Sequence, residues 1–336
     1  MRILVHQKQL RKKKMPDFTF SPILAVNHWI WFNFQTFSFV GLYLLGALSI
    51  PLVIWLLLKL PFPRAMIGLS AIAGNTARSV MKQPIFSILM IIGVMAVLIF
   101  PWIPYNTLGE DVKIMKSQSM TIIKVLGILL AVWSAGVAIS EEIEEKTALT
   151  LLSKPISRRQ LLIGKFLGII LGVSIFFTAL STLFMPTCAF KMVHDAREQC
   201  KEEPLTEACL ESMQTTVPGL ALSFMEIVMM TAVTVALATR LPMVPNLILC
   251  TTIYALGHLI PQMVKSSIGQ FQIAGFLGNL LSAVLPVLTY FNLETTVGGG
   301  ATVSTQYLLG ALAYCFLYSL AALFFALILF EDRDLA

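Results

Sequence analysis

Four carboxylates crowd one short stretch of an otherwise apolar chain. Glu141, Glu142, Glu144 and Glu145 follow directly on a run long enough to cross a bilayer. Such a group cannot sit in hydrocarbon, so this stretch lies outside it and presents an acidic face to water or to a partner. A different carboxylate, Glu226, falls about two turns inside a later apolar run, where an ionisable side chain is a functional candidate by default and a place on a transport pathway is one reading; a position at the membrane interface is the other. His258 follows Tyr254 by four residues and precedes Pro261, as a polar residue near a helix end or as a ligand. Cys200 and Cys209 lie in the longest polar segment, with Cys188 nearby. If that segment is external they can pair as a disulfide; free thiols are the alternative. The 5 cysteines follow no metal-site spacing, so neither a metal nor a cofactor is expected. Gly164-Lys165 is followed by Phe166 rather than Ser or Thr, and no glycine stands five residues before Gly164, so no phosphate-binding P-loop is present. His-Glu-x-x-His and Gly-x-Ser-x-Gly are absent as well.

The elements that hold the acidic group follow from spacing. Glu142 and Lys146 are four apart and can pair on a helix. Ile139 and Ile143 share one face, which Ala148, Leu151 and Leu152 extend. Pro155 stops this helix, and Ser157 with Gln160 has capping-box spacing, so a new helix should begin near Arg158. The expected unit is a span, a short amphipathic helix, a sharp break and a second span. Gly164, Gly168 and Gly172 then form a small-residue stripe on the second span, suited to close packing against a neighbouring helix or to a dimer seam.

This unit resembles the permeases of the ABC type-2 transporter family. There a glutamate-rich segment leads into a Thr-Leu-x-Leu-Leu-x-x-Pro-[Ile/Val]-Ser-Arg motif, and the next span opens with Gly-Lys. The matching residues are Glu141, Glu145, Thr147, Leu149, Leu151, Leu152, Lys154, Pro155, Ser157, Arg158, Gly164 and Lys165. The resemblance extends over roughly residues 66 to 336. It implies a six-helix permease, an exporter by preference, that works with a separate ATP-binding subunit and with a second copy of itself or a related permease. It also implies that residues 141–157, with Glu142 among them, form the coupling helix that docks on the ATPase. A contrasting resemblance is to intramembrane proteases that carry Glu-Glu-x-x-x-Arg with histidines on other spans. Glu141 and Glu142 with His258 approach it, but Lys146 replaces the Arg and no second histidine falls within the core spans. A non-transporting scaffold in an ABC-like assembly is a third reading.

Composition fits a lipid-facing fold. Of 336 residues 57% are hydrophobic and 12% charged, against about 25% charged in soluble globular chains. Several runs reach the roughly 20 apolar residues that a span needs, and the alternation of an outer-membrane barrel is absent. The reading is an all-α polytopic protein of the cell (inner) membrane, partnered by the bilayer. Net charge is +6, but the basic excess gathers at the N-terminus and at turns, which membrane topology explains better than nucleic-acid binding. Residues 1–36 form a basic, aromatic interfacial segment, residues 37–60 an extra membrane segment, and residues 61–336 the permease domain. Within it, residues 65–84 read as a cytoplasmic approach helix, 186–216 as an external polar loop, and 273–291 as re-entrant or interfacial rather than crossing. Spans are expected at 85–103, 120–140, 161–185, 217–239, 243–260 and 307–330. Placing residues 141–157 in the cytoplasm puts the basic N-terminus outside if 37–60 crosses fully, against the positive-inside tendency, so a hairpin bent at Pro51 stays open.

Overall fold

The structure, a computed structural model, describes residues 64–105, 107, 109–141, 157–199, 206–265, 276, 278, 280–282 and 284–331. The N-terminal segment 1–36, the membrane segment 37–60 and residues 142–156 of the acidic stretch lie outside the described residues.

Hydrocarbon offers no partners to a backbone, so a chain this apolar must satisfy its N–H and C=O groups within each segment. All regular elements among the described residues are accordingly helical: α1 (Arg64–Lys82), α2 (Pro84–Ile99), α3 (Asp111–Ala135), α4 (Arg158–Glu198), α5 (Thr206–Gln214), α6 (Val217–Ala238), α7 (Met243–Lys265), α8 (Glu294–Gly298) and α9 (Thr305–Glu331). A 3-10 turn, Phe100–Trp102, extends α2, and a π-helical turn, Gly136–Glu141, ends α3. Among the described residues six stretches are long and apolar enough to cross a membrane: Pro84–Trp102, Asp111–Ser140, Arg159–Glu198, Glu207–Ala238, Met243–Gln262 and Thr305–Phe330. The chain is an all-α, multi-pass membrane protein.

Hydroxyl side chains inside the spans bond backward to their own helix, which lets them lie in an apolar surround. Thr231 donates to the Ile227 carbonyl (2.7 Å), Thr234 to Met230 (2.8 Å) and Ser223 to Gly219 (3.0 Å). Helices α3, α4 and α6 carry most of the buried side chains, among them Met120, Ile123, Leu130, Phe176, Leu180 and Met229. By contrast α2, α7 and α9 leave large apolar residues uncovered, such as Ile91, Met95, Val244, Ile248, Phe316 and Phe324. An apolar surface of that kind suits lipid, not water.

The glycine stripe meets a neighbour in the same chain. A Cβ at Gly164 would lie 2.8 Å from Ile72, one at Gly168 would lie 2.6 Å from the Ala73 carbonyl oxygen, and one at Gly172 would lie 2.8 Å from Val80. The stripe is thus the track on which α1 lies against α4. Helix α1 turns Ala73, Thr76, Ala77 and Val80 inward and leaves Asn75, Arg78 and Lys82 exposed, the two-sided pattern of an interfacial helix.

Two expected boundaries move. The span expected at 120–140 begins at Asp111. More of the change is in the 186–216 segment, which is largely helical rather than a loop: α4 runs on to Glu198 and α5 occupies Thr206–Gln214. Proline at 186 costs α4 one backbone hydrogen bond without ending it. Beyond it Lys191 pairs with Asp195 one turn on (2.9 Å), while Trp102 packs its ring on Phe190 and His194. Buried Lys116 of α3 ties α5 down, donating to the Ser212 carbonyl (2.9 Å) and hydroxyl (2.5 Å). Residues 276, 278, 280–282 and 284 are helical, the helix opens at 285–287, and Pro286 and Leu288 pack against Gly257 of α7.

Candidate functional site

A lone ammonium inside an apolar run needs a counter-ion. Lys124 sits in the middle of α3 and is 1% exposed. Its Nζ lies 3.1 Å from Glu226 Oε2 of α6 and 2.5 Å from Glu294 Oε1 of α8. On the far side of Glu226, its Oε1 stands 3.4 Å from His258 Nε2 of α7. His258 directs Nδ1 at the Tyr254 carbonyl oxygen (3.2 Å), and the two rings pack with centroids 4.8 Å apart. Four elements therefore converge on one buried ionic cluster.

Each element brings its residue there for a local reason. Gly127 of α3 accepts the Ile227 side chain, where a Cβ would come within 2.7 Å, so α6 lies close at the depth of Glu226. Gly219 packs on Met120 and Val297, and Gly298 on the Lys113 carbonyl oxygen, so the segment around α8 is pressed onto α3 and α6. Gly257 lets α7 touch Pro286 and Leu288 of the same segment. Glu294 opens α8, where its negative charge suits the helix N-terminus.

The charges do not balance without a proton. One ammonium faces two carboxylates, and stranding a charge in a low-dielectric interior costs several kcal/mol. Protonating His258 brings the four groups to neutrality. The Glu226–His258 contact is thus an arrangement that can hold and release a proton inside the membrane, chemistry to which intramembrane carboxylates and imidazoles are suited.

Of the residues singled out in sequence, Glu226 and His258 come together here. Lys124 is an isolated charge in the run Thr121 to Trp133; Glu294 opens a helix of five residues, too short to show periodicity, and only the fold brings it to Lys124. Glu141 ends the π turn that follows α3, and Glu142 lies outside the described residues. Cys209 is a buried free thiol, and Cys200 lies outside the described residues. His194, Asp195 and Glu198 bring ligand atoms within 4.8 Å of one another on the surface of α4, but Asp195 is engaged by Lys191.

The two ends of the acidic stretch are also placed. Ser157 caps α4 through a complete capping box, accepting from Gln160 N–H (3.3 Å) while its own N–H donates to the Gln160 side chain (3.2 Å). Lys165 Nζ donates to the Ala138 carbonyl oxygen in the π turn, and Ser140 donates to the Ala238 carbonyl oxygen (3.2 Å). The intervening Glu142, Glu145, Thr147, Leu149, Leu151, Leu152 and Pro155 lie outside the described residues.

Residues 54–335 match a family described as ABC-2 family transporter protein. Comparison with curated proteins gives no match.

Proposed function

This chain belongs to the ABC-2 family of transporter proteins, and from that premise we propose that it is the membrane subunit of an exporter in the cell membrane, moved by a separate ATP-binding subunit that docks on residues 141–157. The chain carries no P-loop, so hydrolysis falls to that partner. A second copy, or a related permease, completes the pathway. One observation carries the coupling: the exit of α3 and the entry of α4 are tied to each other by the Lys165–Ala138 bond, and the entry is capped by Ser157. Two helix ends tied in this way move together. A push on them passes into α3, and through Lys124 to α6 and to the segment bearing Glu294.

The test is the double variant Glu141→Lys, Glu145→Lys, which reverses charge on the docking face outside the spans. It should insert normally but lose most of its ability to bind and stimulate the ATPase. Unchanged binding and stimulated hydrolysis would remove residues 141–157 from the coupling role.

A further inference from the structure

A second feature of the membrane region lies apart from the ionic cluster. Helices α4, α6 and α9 enclose a cavity of about 680 Å³, lined among others by Phe166, Phe177, Ala221, Phe224, Leu312 and Leu320. Its register follows from two contacts: Phe177 packs on Phe224 (centroids 5.4 Å apart), and the Cys315 thiol donates to the Met225 carbonyl oxygen (3.2 Å). The lining runs along α4 from Phe166 to Ser181, about 22 Å at 1.5 Å per residue. Since α6 runs opposite to α4, Ser181 lies at the end that Val217 closes, where α6 begins.

The polar groups of this slot divide into two kinds. Ser174 donates to the Leu171 carbonyl oxygen (2.8 Å) and Thr178 to Ile175 (3.1 Å), so each turns an apolar side to the cavity. Two do not: Ser181 is 3% and Ser319 7% exposed, and neither hydroxyl has a hydrogen-bond partner; of the two, Ser181 stands at the Val217 end. A buried hydroxyl left without a partner costs about 1–3 kcal/mol, and it is a place where a ligand's acceptor gains most.

We propose that an acyl chain of a membrane lipid fills this slot, with an ester carbonyl of that lipid accepting a hydrogen bond from Ser181. Length fits this occupant, because one leaflet contributes about 15 Å of hydrocarbon, half of a roughly 30 Å core, and the slot accommodates all of it. Access comes from the side, where α9 leaves Leu312, Phe316 and Leu320 uncovered toward the bilayer. Only the bilayer supplies apolar chains at this depth without a carrier, and the lining is a continuation of the lipid-facing surface of α9.

The full chain is reconstituted in nanodiscs containing a phosphatidylcholine with a diazirine near the middle of one acyl chain, irradiated, and mapped by peptide mass spectrometry. Adducts should appear on Phe177, Ala221 and Phe224 at a yield comparable with Ile91 and Met95 on the exposed face of α2. In Ala221→Trp, which fills the slot, adducts at Phe177 and Phe224 should fall at least fivefold while those on α2 persist. In Ser181→Ala, which removes the donor without adding bulk, native mass spectrometry after exchange into mild detergent should show loss of the phospholipid that the parent retains. Ser181→Ala also keeps the test open if Ala221→Trp does not fold. Adducts confined to α2 and other outward faces, or a parent protein that retains no lipid, overturn the proposal, as does a Ser181→Ala variant that retains lipid like the parent. None of these readings depends on transport or on ATPase coupling.

Discussion

Replacing Lys124 with methionine tests how the membrane region is held together. The substitution nearly preserves volume, so packing changes little. What it removes is the ammonium at 3.1 Å from Glu226 and 2.5 Å from Glu294. Both carboxylates are then stranded: Glu226 is fully buried and Glu294 is 4% exposed. Breaking a buried ion network by removing one partner costs about 3–5 kcal/mol, whereas replacing all of its members with neutral groups of similar shape is often close to neutral. Thermal unfolding in mild detergent should therefore show Lys124→Met well below the parent. The triple variant Lys124→Met, Glu226→Gln, Glu294→Gln should recover most of the loss. The two thermograms are read together, because the recovery separates stranded charge from lost packing. A Lys124→Met protein as stable as the parent would refute the reasoning, and so would a triple variant no better than the single one.

Two further outcomes follow from the packing and the expected topology. Gly168→Val drives a Cβ toward the Ala73 carbonyl oxygen and Thr76, and should lower stability by about 1–3 kcal/mol, whereas Gly74→Ala, which meets nothing within 4 Å, should raise it by about 0.5–1 kcal/mol, as alanine does inside a helix; equal effects would deny that α1 lies on the glycine track. In a cysteine-free background, Leu205→Cys should react with an impermeant maleimide in intact cells and Thr150→Cys should not, and the reverse pattern would invert the orientation of every span.

The sequence exposes the spans because a bilayer demands long apolar runs, and six such runs survive in the structure. The Ser157–Gln160 cap is equally readable, since its geometry is local. Glu226 stands out for the same reason that buried charge is rare. Its partners do not: Glu294 comes from a one-turn helix nearly seventy residues later, and Lys124 needs the close approach at Gly127 before it can meet Glu226. The polar composition of residues 186–216 reads as loop because hydropathy does not register a helix held by Lys191–Asp195 and by rings stacked from Trp102. The glycine stripe announces close packing, but its partner α1 is identified only by the fold.

A separate ATPase that works this permease should be found by affinity purification of the full chain from its native membrane in mild detergent, followed by assay of the eluate for vanadate-sensitive ATP hydrolysis. A P-loop subunit should co-elute in fixed ratio with the chain, and hydrolysis should accompany it. A stably folded chain that elutes with no nucleotide-binding partner and no hydrolysis would contradict such coupling.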